Sequence, residues 1–325
     1  MNNEHQHRLV ALLNGLAPFE GYTLSALEGV RFMRANHPLP RIPVMYEPSI
    51  VIVCQGRKRG YLADASYVYD ASHYLVLSVP LPFESETDAS EEEPMLAVAL
   101  RIDLTVAAEL VLALSTSRKD QMVAPAGICS TPMSDDMSDA LLRLLTALTV
   151  PDDAAILGPA IMKELLYRVL TGPQGGAVLA SLTQHGQFGK IGKALRKIHE
   201  QYGSGMDVGT LASEAGMSVA AFHANFKAVT HTTPMQYLKS TRLHKARLLM
   251  VQDGVSAATA SSLVGYESSS QFSREFKRFF GRTPVQEAVE MRSALMLMPA
   301  EPGPEYAMQG LRPGFEIQPY AMAGS

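Results

Sequence analysis

A repeat in the last third of the chain constrains the fold more than any other feature of this sequence. Five residues of one copy return in a second copy at a constant offset of 50 positions. They are Phe222, Phe226, Lys227, Thr233 and Pro234 in the first copy, and Phe272, Phe276, Lys277, Thr283 and Pro284 in the second. Each copy reads as an apolar helix, a short turn with Gly, a helix that begins at Ser, and a Thr-Pro pair. The sequence therefore predicts two copies of one small helical unit.

Each copy carries the local signals of a helix-turn-helix. The turn contains Gly216 in the first copy and Gly265, displaced by one position, in the second, and glycine tolerates positive φ. The second helix can be capped by Ser218 in the first copy, and by Ser268 or Ser269 in the second. The paired phenylalanines are four positions apart and therefore face the core. The opposite face of a short basic helix stays free to enter a major groove.

A third helix is predicted between the two units, from Pro234 to Val251. Leu238, Ala246 and Leu249 form its apolar stripe, and the remaining surface is expected to carry Lys239, Arg242, Lys245 and Arg247. A helix of ~17 residues is about 25 Å long, so it would hold the units rigidly apart. If both recognition helices read one face of a duplex, we expect them to lie about 34 Å apart.

The distribution of charge supports a polyanion as the partner of this segment. From Phe188 to Arg292 there are 14 Lys and Arg against 8 Asp and Glu, a net of +6, whereas the rest of the chain carries −10. One basic module in an acidic protein is typical of nucleic-acid binding, although a net of +6 alone would be weak evidence.

The second copy, VGYESSSQFSREFKRFFGRTP from Val264 to Pro284, resembles the signature of the AraC/XylS transcription regulators. Leu39 to Glu86 and Leu157 to Gly175 are similar to the sensor domain of one AraC-type subgroup. The resemblance implies an α+β protein of two domains. The first is a cupin-like β-barrel with dimerisation helices, and the second is an all-α, seven-helix domain with two helix-turn-helix units that binds DNA.

The resemblance also assigns the DNA contacts. It places base contacts at Ala220, His223 and Ala224 on the first recognition helix, and at Ser270, Gln271 and Arg274 on the second. Since alanine can touch a thymine methyl but cannot donate a hydrogen bond, we expect the first helix to read bases through His223, with Asn225 as a further candidate. Arg274 suits guanine and Gln271 suits adenine. Phosphate contacts are expected from Lys227, Lys277, Arg278 and Arg282.

These expectations divide the chain into four parts. A sensor and dimerisation domain covers 1–175, with the barrel at about 22–104 and helices at about 134–171; a linker covers 176–188; the DNA-binding domain covers 189–292; and an irregular tail covers 293–325. The Leu-rich helices from Ser138 to Leu148 and from Ile156 to Leu170 can either pack on the barrel or, as the resemblance favours, form a homodimer interface.

Several features of the barrel are open to two interpretations. Arg57, Lys58 and Arg59 follow a buried strand and form either a solvated hairpin or a contact for an anion or for the DNA-binding domain. Cys54 is either a reactive thiol or a buried, inert one. His73 is the one histidine that lies in a predicted strand of the barrel, so we expect no metal and no cofactor. The acidic stretch from Glu84 to Glu93 is interpreted as a loop.

Function follows from these parts. We expect a transcription regulator, activator or repressor or both, whose barrel binds a small effector of unknown identity. Its expected partners are promoter DNA, RNA polymerase and a second copy of the chain, and the polar start of the sequence favours the cytoplasm. An enzyme is not expected, because no nucleophile and base have motif spacing. A DNA-architectural protein without a sensor is the other alternative.

Overall fold

The computed structural model describes residues 3–115, 126–182 and 186–296. The first part of the chain is built from a strand-rich layer and helices. The strands are β1 (Gly21–Leu24), β2 (Val30–Ala35), β3 (Leu39–Tyr46), β4 (Ser49–Gln55), β5 (Arg57–Leu62), β6 (Ala65–Asp70), β7 (His73–Leu77), β8 (Leu81–Asp88), β9 (Met95–Arg101) and β10 (Ile128–Pro132). The helices are α1 (Asn3–Leu16), α2 (Leu104–Ser115), α3 (Asp135–Ala147), α4 (Pro151–Ile156), α5 (Gly158–Thr171) and α6 (Gly175–Leu182).

All ten strands join one antiparallel sheet in the order β1-β2-β9-β4-β7-β6-β5-β8-β3, with β10 paired to β7. The sheet curls into a half-barrel, which confirms the predicted β-barrel class of the first domain. Strand β10 was not predicted, because it lies beyond the apolar helix α2 and far in sequence from the strand that it pairs with. Ile128 pairs with Leu77 and Pro132 pairs with His73.

Strand β8 corrects the interpretation of Glu84 to Glu93 as a loop for the residues up to Asp88, whereas residues 89–93 do form the connection between β8 and β9. Along Leu81–Asp88 buried and half-buried side chains alternate, so Ser85 and Thr87 point inward while the acidic side chains point outward. The outward carboxylates are paired across the strands, as in the contact of 2.7 Å between Arg59 and Asp88. A run of acidic residues therefore forms a regular strand, because its charges face arginines on neighbouring strands.

The two faces of the sheet belong to different cores. One face is covered by α1, α3, α5 and α6, whose buried leucines pack with residues such as Ile52 and Val98. The Leu-rich stripes of α3 and α5 are filled within the chain by this packing, which is the first of the two alternatives that the sequence left open. The other face is the inside of the half-barrel, where Tyr69, Leu75 and Phe83 are buried.

The last part of the described chain contains seven helices, as the family resemblance implied. They are α7 (Gly186–Gln201), α8 (Val208–Glu214), α9 (Val219–Thr230), α10 (Pro234–Gln252), α11 (Ala257–Leu263), α12 (Ser269–Phe280) and α13 (Pro284–Met296). The segment 176–188, predicted as a linker, is helical in α6 up to Leu182 and again from Gly186. The predicted irregular tail begins inside α13, and its residues 297–325 lie outside the described residues.

Helix α10, the linking helix between the two units, also contacts the half-barrel. The hydroxyl of Tyr237 donates to the carbonyl of Pro80 at 2.7 Å, and Arg247 reaches the carbonyl of Pro43 at 3.5 Å. The apolar inside of the half-barrel is continuous with the core of the first helix-turn-helix unit, which includes Phe222 and Phe226. No helix within the described ranges has the length and apolar character needed to cross a membrane.

Candidate nucleic-acid interface

Side-chain caps fix where the two recognition helices begin. Ser218 accepts a hydrogen bond from the backbone N–H of Ala221 at 3.3 Å and starts α9. Ser268 accepts from the N–H of Gln271 at 3.3 Å and starts α12, so it and not Ser269 caps the second recognition helix. Each cap satisfies a backbone donor that the first turn of a helix leaves without a partner. Both recognition helices therefore start at equivalent points of the repeat.

The repeat is also present in the packing of the aromatic pairs. The rings of Phe222 and Phe226 are 5.4 Å apart and inclined at 55°, and those of Phe272 and Phe276 are 5.4 Å apart and inclined at 56°. All four rings are buried, which confirms that the F-x-x-x-F face of each helix is its core face. Two helices with the same inner face present the same outer face.

The turn glycines take the backbone conformation that the sequence predicts. Gly216 has φ of +60° and Gly265 has φ of +82°, a region that side chains with Cβ rarely occupy. At Gly265 an added Cβ would also lie 2.5 Å from the carbonyl oxygen of Gly203. The second turn thus packs tightly against the loop that follows α7, and only glycine fits there.

The predicted base-reading face of α9 is exposed. Ala220, His223 and Ala224 all lie on it. The amide of the half-buried Asn225 instead donates one of its two N–H groups to the carbonyl of Ala221 at 2.7 Å, so this side chain is directed along its own helix and Asn225 is a poor candidate for base reading. Val219, 48% exposed in the first turn, was missed by the sequence reasoning, although its position four residues before His223 places it on the same face.

The corresponding face of α12 is also exposed at Ser270, Gln271 and Arg274. Among the described residues Arg274 forms no ion pair, and neither Glu275 nor Glu267, the two carboxylates near it in sequence, pairs with it. Glu275 is occupied by other groups, because it accepts from Lys239 at 2.9 Å and from the hydroxyl of Tyr266 at 2.9 Å. It also lies 3.4 Å from the amide nitrogen of Gln271.

The predicted phosphate contacts separate into two groups. Lys227, Lys277 and Arg278 are exposed and have no ion pair with any described residue. Arg282 is exposed as well, but its guanidinium lies 2.7 Å from a carboxylate oxygen of Glu290, so it is already partly neutralised. The first three are the cations best placed to meet phosphate oxygens.

The cations of the linking helix contradict the expectation that they line a free surface. Lys239 pairs with Glu275, and Arg242 donates to the backbone carbonyls of Tyr202 and Ser204 at 2.7 and 2.8 Å. The other two are Lys245, which lies over the ring of Tyr202, and Arg247, which lies over the ring of Phe280 and forms an ion pair with Glu287. Because α10 is packed between two units and against the half-barrel, its cations hold neighbouring elements together.

The remaining candidates for chemistry lie in the half-barrel. Burial raises the pKa of Cys54 to about 12 and the pKa of Cys129 to about 11, so both thiols stay protonated at neutral pH and are poor nucleophiles. His73 is half exposed and lies 3.8 Å from Asp70. In the described ranges no group of three or more His, Cys, Asp or Glu side chains is placed to hold a metal ion.

Comparison with known proteins agrees with this geometry. Residues 26–177 match the family described as AraC-type transcriptional regulator N-terminus, and residues 211–287 match the family described as helix-turn-helix domain. The virulence regulon transcriptional activator VirF of Yersinia enterocolitica is 26% identical over 174 residues, which are 53% of this chain and 63% of VirF. The RCS-specific activator RclR of Escherichia coli K12 is 35% identical over 95 residues, which are 29% of this chain and 34% of RclR.

The matched segments thus cover less than two thirds of either relative. A solved structure shares the fold over more of the chain. ToxT of Vibrio cholerae strain SCE256, solved with an unsaturated fatty acid bound, superposes with a TM-score of 0.54 over 83% of this chain and 97% of ToxT, at 12% identity. The first part of the present chain matches one of the two families, and its repeat region matches the other. Its two-domain fold is that of ToxT. The chain therefore belongs to the AraC-type transcriptional regulators.

Proposed function

We propose that this protein is a sequence-specific DNA-binding transcription regulator that acts in the cytoplasm as an activator, a repressor or both. One observation carries the proposal: two copies of one unit, held on a single helix, expose the same face of their recognition helices. Arg274 on that face has no ion-pair partner among the described residues. An unpaired guanidinium on the exposed face of a recognition helix is suited to bind a base edge.

Each exposed side chain has a role that its chemistry supports. Arg274 would donate two hydrogen bonds to O6 and N7 of guanine, and Gln271 would pair with adenine. On α9, His223 is the polar reader, whereas Val219, Ala220 and Ala224 offer apolar surface for thymine methyl groups. Lys227, Lys277 and Arg278 would neutralise phosphates, which adds affinity without sequence choice.

The half-barrel is the proposed site of control by a small-molecule effector. Its inner face is continuous with the core of the first helix-turn-helix unit, and β3 and β8 contact the linking helix. ToxT, which has this fold, has been solved with an unsaturated fatty acid bound. RNA polymerase is proposed as a partner because VirF and RclR are named as transcriptional activators.

A homodimer is proposed on weaker structural grounds than the sequence suggested. The stripes of α3 and α5 are filled within the chain, so a dimer would need other surface. Ile156, 76% exposed at the end of α4, lies next to the exposed Leu157 and offers an apolar patch. Apolar side chains in that position are compatible with contact to a second copy.

A genome-wide map of the protein on DNA in its own cells tests the proposed function. A regulator gives a few sharp sites upstream of genes, each with paired elements about one helical turn apart. Footprinting with purified protein should then protect the same elements. Broad coverage would support the architectural alternative, and no occupancy would remove DNA binding as the function.

A further inference from the structure

Lys58 is a buried cation on the inner face of the half-barrel. It lies between Arg57 and Arg59 on β5, and since side chains alternate along a strand, those two point outward while Lys58 points inward. The charges of the two outward arginines are neutralised, because Arg57 lies 3.3 Å from Asp70 and Arg59 forms an ion pair with Asp88 on β8. Lys58 is only 6% exposed and does not share those carboxylates.

The ammonium group of Lys58 has more donors than partners. Its Nζ donates to the hydroxyl of Thr87 at 2.8 Å, and no carboxylate of the described residues forms an ion pair with it. An ammonium group carries three N–H donors, so two remain to be satisfied. Burial lowers the pKa of Lys58 to about 8, so most of the amines are still charged at pH 7. A buried charge without a counter-charge is costly, which favours an anion beside it.

Hydroxyl side chains of two neighbouring strands lie on the same inner face as this amine. Lys58 pairs in register with Tyr69 on β6 and with Thr87 on β8. The hydroxyl of Tyr69 lies 3.3 Å from that of Ser85, and Tyr46 hydrogen-bonds to the same pair. Burial raises the pKa of Tyr69 to about 12, so its hydroxyl keeps its proton and can donate. The cluster therefore consists of one cation and several neutral donors.

An apolar surface adjoins the cluster. Gly60, the next inward position on β5, has no side chain, and the ring of Phe83 fills that space: a Cβ at Gly60 would lie 3.0 Å from the ring. Leu62 and Tyr46 continue the apolar wall. One aromatic ring, that of Phe83, thus occupies the volume beside Lys58, and the edge of the Tyr46 ring system packs against it with the ring centroids 4.9 Å apart.

We propose that Lys58, with the hydroxyls of Thr87, Ser85 and Tyr69, binds the carboxylate of a monoanionic small molecule whose apolar body takes the place of the Phe83 ring over Gly60. This inference rests on the proposed control by an effector and names the effector's chemical class. A monoanion matches the single cation, whereas a phosphate dianion would leave a buried charge uncompensated.

The same strands connect the cluster to the linking helix. Ser85 and Thr87 lie on β8, which begins directly after Pro80, the acceptor of Tyr237. Tyr46 lies on β3, three residues after Pro43, the acceptor of Arg247. A ligand that moves β3 and β8 therefore acts on α10 at both of these contacts, and its binding changes the affinity for DNA.

The test uses the full-length protein and straight-chain carboxylates from acetate to decanoate, with the matching primary amides as neutral probes. Calorimetric titration without DNA is expected to show saturable binding of at least one carboxylate, with its amide at least tenfold weaker. Lys58→Met should reduce the affinity of the protein for that carboxylate at least tenfold. Arg59→Met removes the outward cation of the same strand and should change the affinity for the carboxylate by less than twofold.

Three results would overturn the inference: no carboxylate binds, Lys58→Met binds as well as the unmodified protein, or inorganic phosphate binds in place of the carboxylates. The carboxylate-to-amide ratio of the unmodified protein is informative even if the variant fails to fold. We expect Lys58→Met to fold and to melt at an equal or higher temperature, because it removes a buried charge. Footprinting without ligand measures DNA recognition separately. If no footprint is seen, the proposed DNA-binding function is contradicted, whereas the ligand site at Lys58 is not.

Discussion

Tyr237 of the linking helix and Pro80 of the half-barrel are joined by a hydrogen bond of 2.7 Å across 157 positions of sequence. A tyrosine hydroxyl has one proton, and here it is directed to the carbonyl of Pro80. His199, whose Nε2 lies 2.7 Å from the same hydroxyl, must then be the donor to Tyr237. A chain of three groups thus connects α7, α10 and the half-barrel.

Tyr237→Phe should destabilise the protein by about 1–3 kcal/mol, because it leaves the carbonyl of Pro80 and the N–H of His199 without their partner. Urea unfolding followed by circular dichroism measures the change. Tyr167→Phe is the matched control, since Tyr167 is 44% exposed, and it should change the free energy of unfolding by less than about 0.5 kcal/mol. Equal effects of the two substitutions would contradict a structural role for the bond to Pro80.

Because His199 is buried, we expect the protein to lose stability in mild acid. Burial, and to a lesser extent the charge of Lys245, lowers the pKa of His199 from 6.5 to about 4. Between these values the unfolded chain binds a proton that the folded chain does not, so the free energy of unfolding falls as pH decreases from 6.5 towards 4. Burial also lowers the pKa of His244, which acts in the same direction.

Urea titrations at pH 7 and pH 5 test this dependence. His199→Gln keeps a donor for Tyr237 but does not titrate, so the difference between the two pH values should shrink in this variant. His223→Gln, on the exposed face of α9, is the control and should keep the full difference. An unchanged pH dependence in His199→Gln would mean that His199 does not contribute to it.

The local features of the DNA-binding part could be predicted because they depend on short-range periodicity. The spacing of Phe222 and Phe226 determines the core face of a helix, and the opposite face follows from it. The partners of the linking-helix cations could not be predicted in this way. Lys239 meets Glu275 and Arg247 meets Glu287, and these pairs form only when distant helices pack together.

In the half-barrel the limits of prediction have a similar cause. The alternation of a strand could have shown that, of the basic cluster, Lys58 faces one way and Arg57 and Arg59 the other. Which face is inside depends on the neighbouring strands, and β8, whose residues from Glu84 onward are interpreted as a loop from the sequence, is one of them. The burial of this amine therefore follows only from the register of β5 and β8.

Arg274→Ala should abolish discrimination at one base pair while binding to nonspecific DNA is largely kept. The loss of a bidentate contact to guanine corresponds to about 1–3 kcal/mol at the cognate site. Fluorescence anisotropy with the cognate duplex and with a duplex changed at that base pair measures the ratio of affinities. An equal decrease in affinity for both duplexes would contradict the base-reading role.

Lys277→Ala should weaken binding to every duplex and leave the ratio of affinities unchanged. Because one phosphate contact is lost, the slope of log K against log salt should become shallower by about 1. Titrations at several salt concentrations give this slope. Arg282→Ala is a useful comparison: since Arg282 already pairs with Glu290, its effect on the slope should be smaller.

Glu275 is predicted to position Gln271 for base reading, because it receives the Gln271 amide and is itself held by Lys239 and Tyr266. Glu275→Ala should reduce discrimination at the base pair read by Gln271 about as much as Gln271→Ala does. In the double variant the two effects should not add, since both remove the same contact. Anisotropy titrations of the four proteins on matched and mismatched duplexes complete this cycle.

A purely structural role for Glu275 would give a different pattern. Loss of its contacts to Lys239 and Tyr266 would lower the free energy of unfolding, while the ratio of affinities for matched and mismatched duplexes would stay at its original value. Glu267→Ala removes an exposed carboxylate from the turn of the same unit and should change neither quantity. Additive effects of Glu275→Ala and Gln271→Ala on discrimination would show that the two side chains act independently, because a positioning residue can contribute only through the group that it positions.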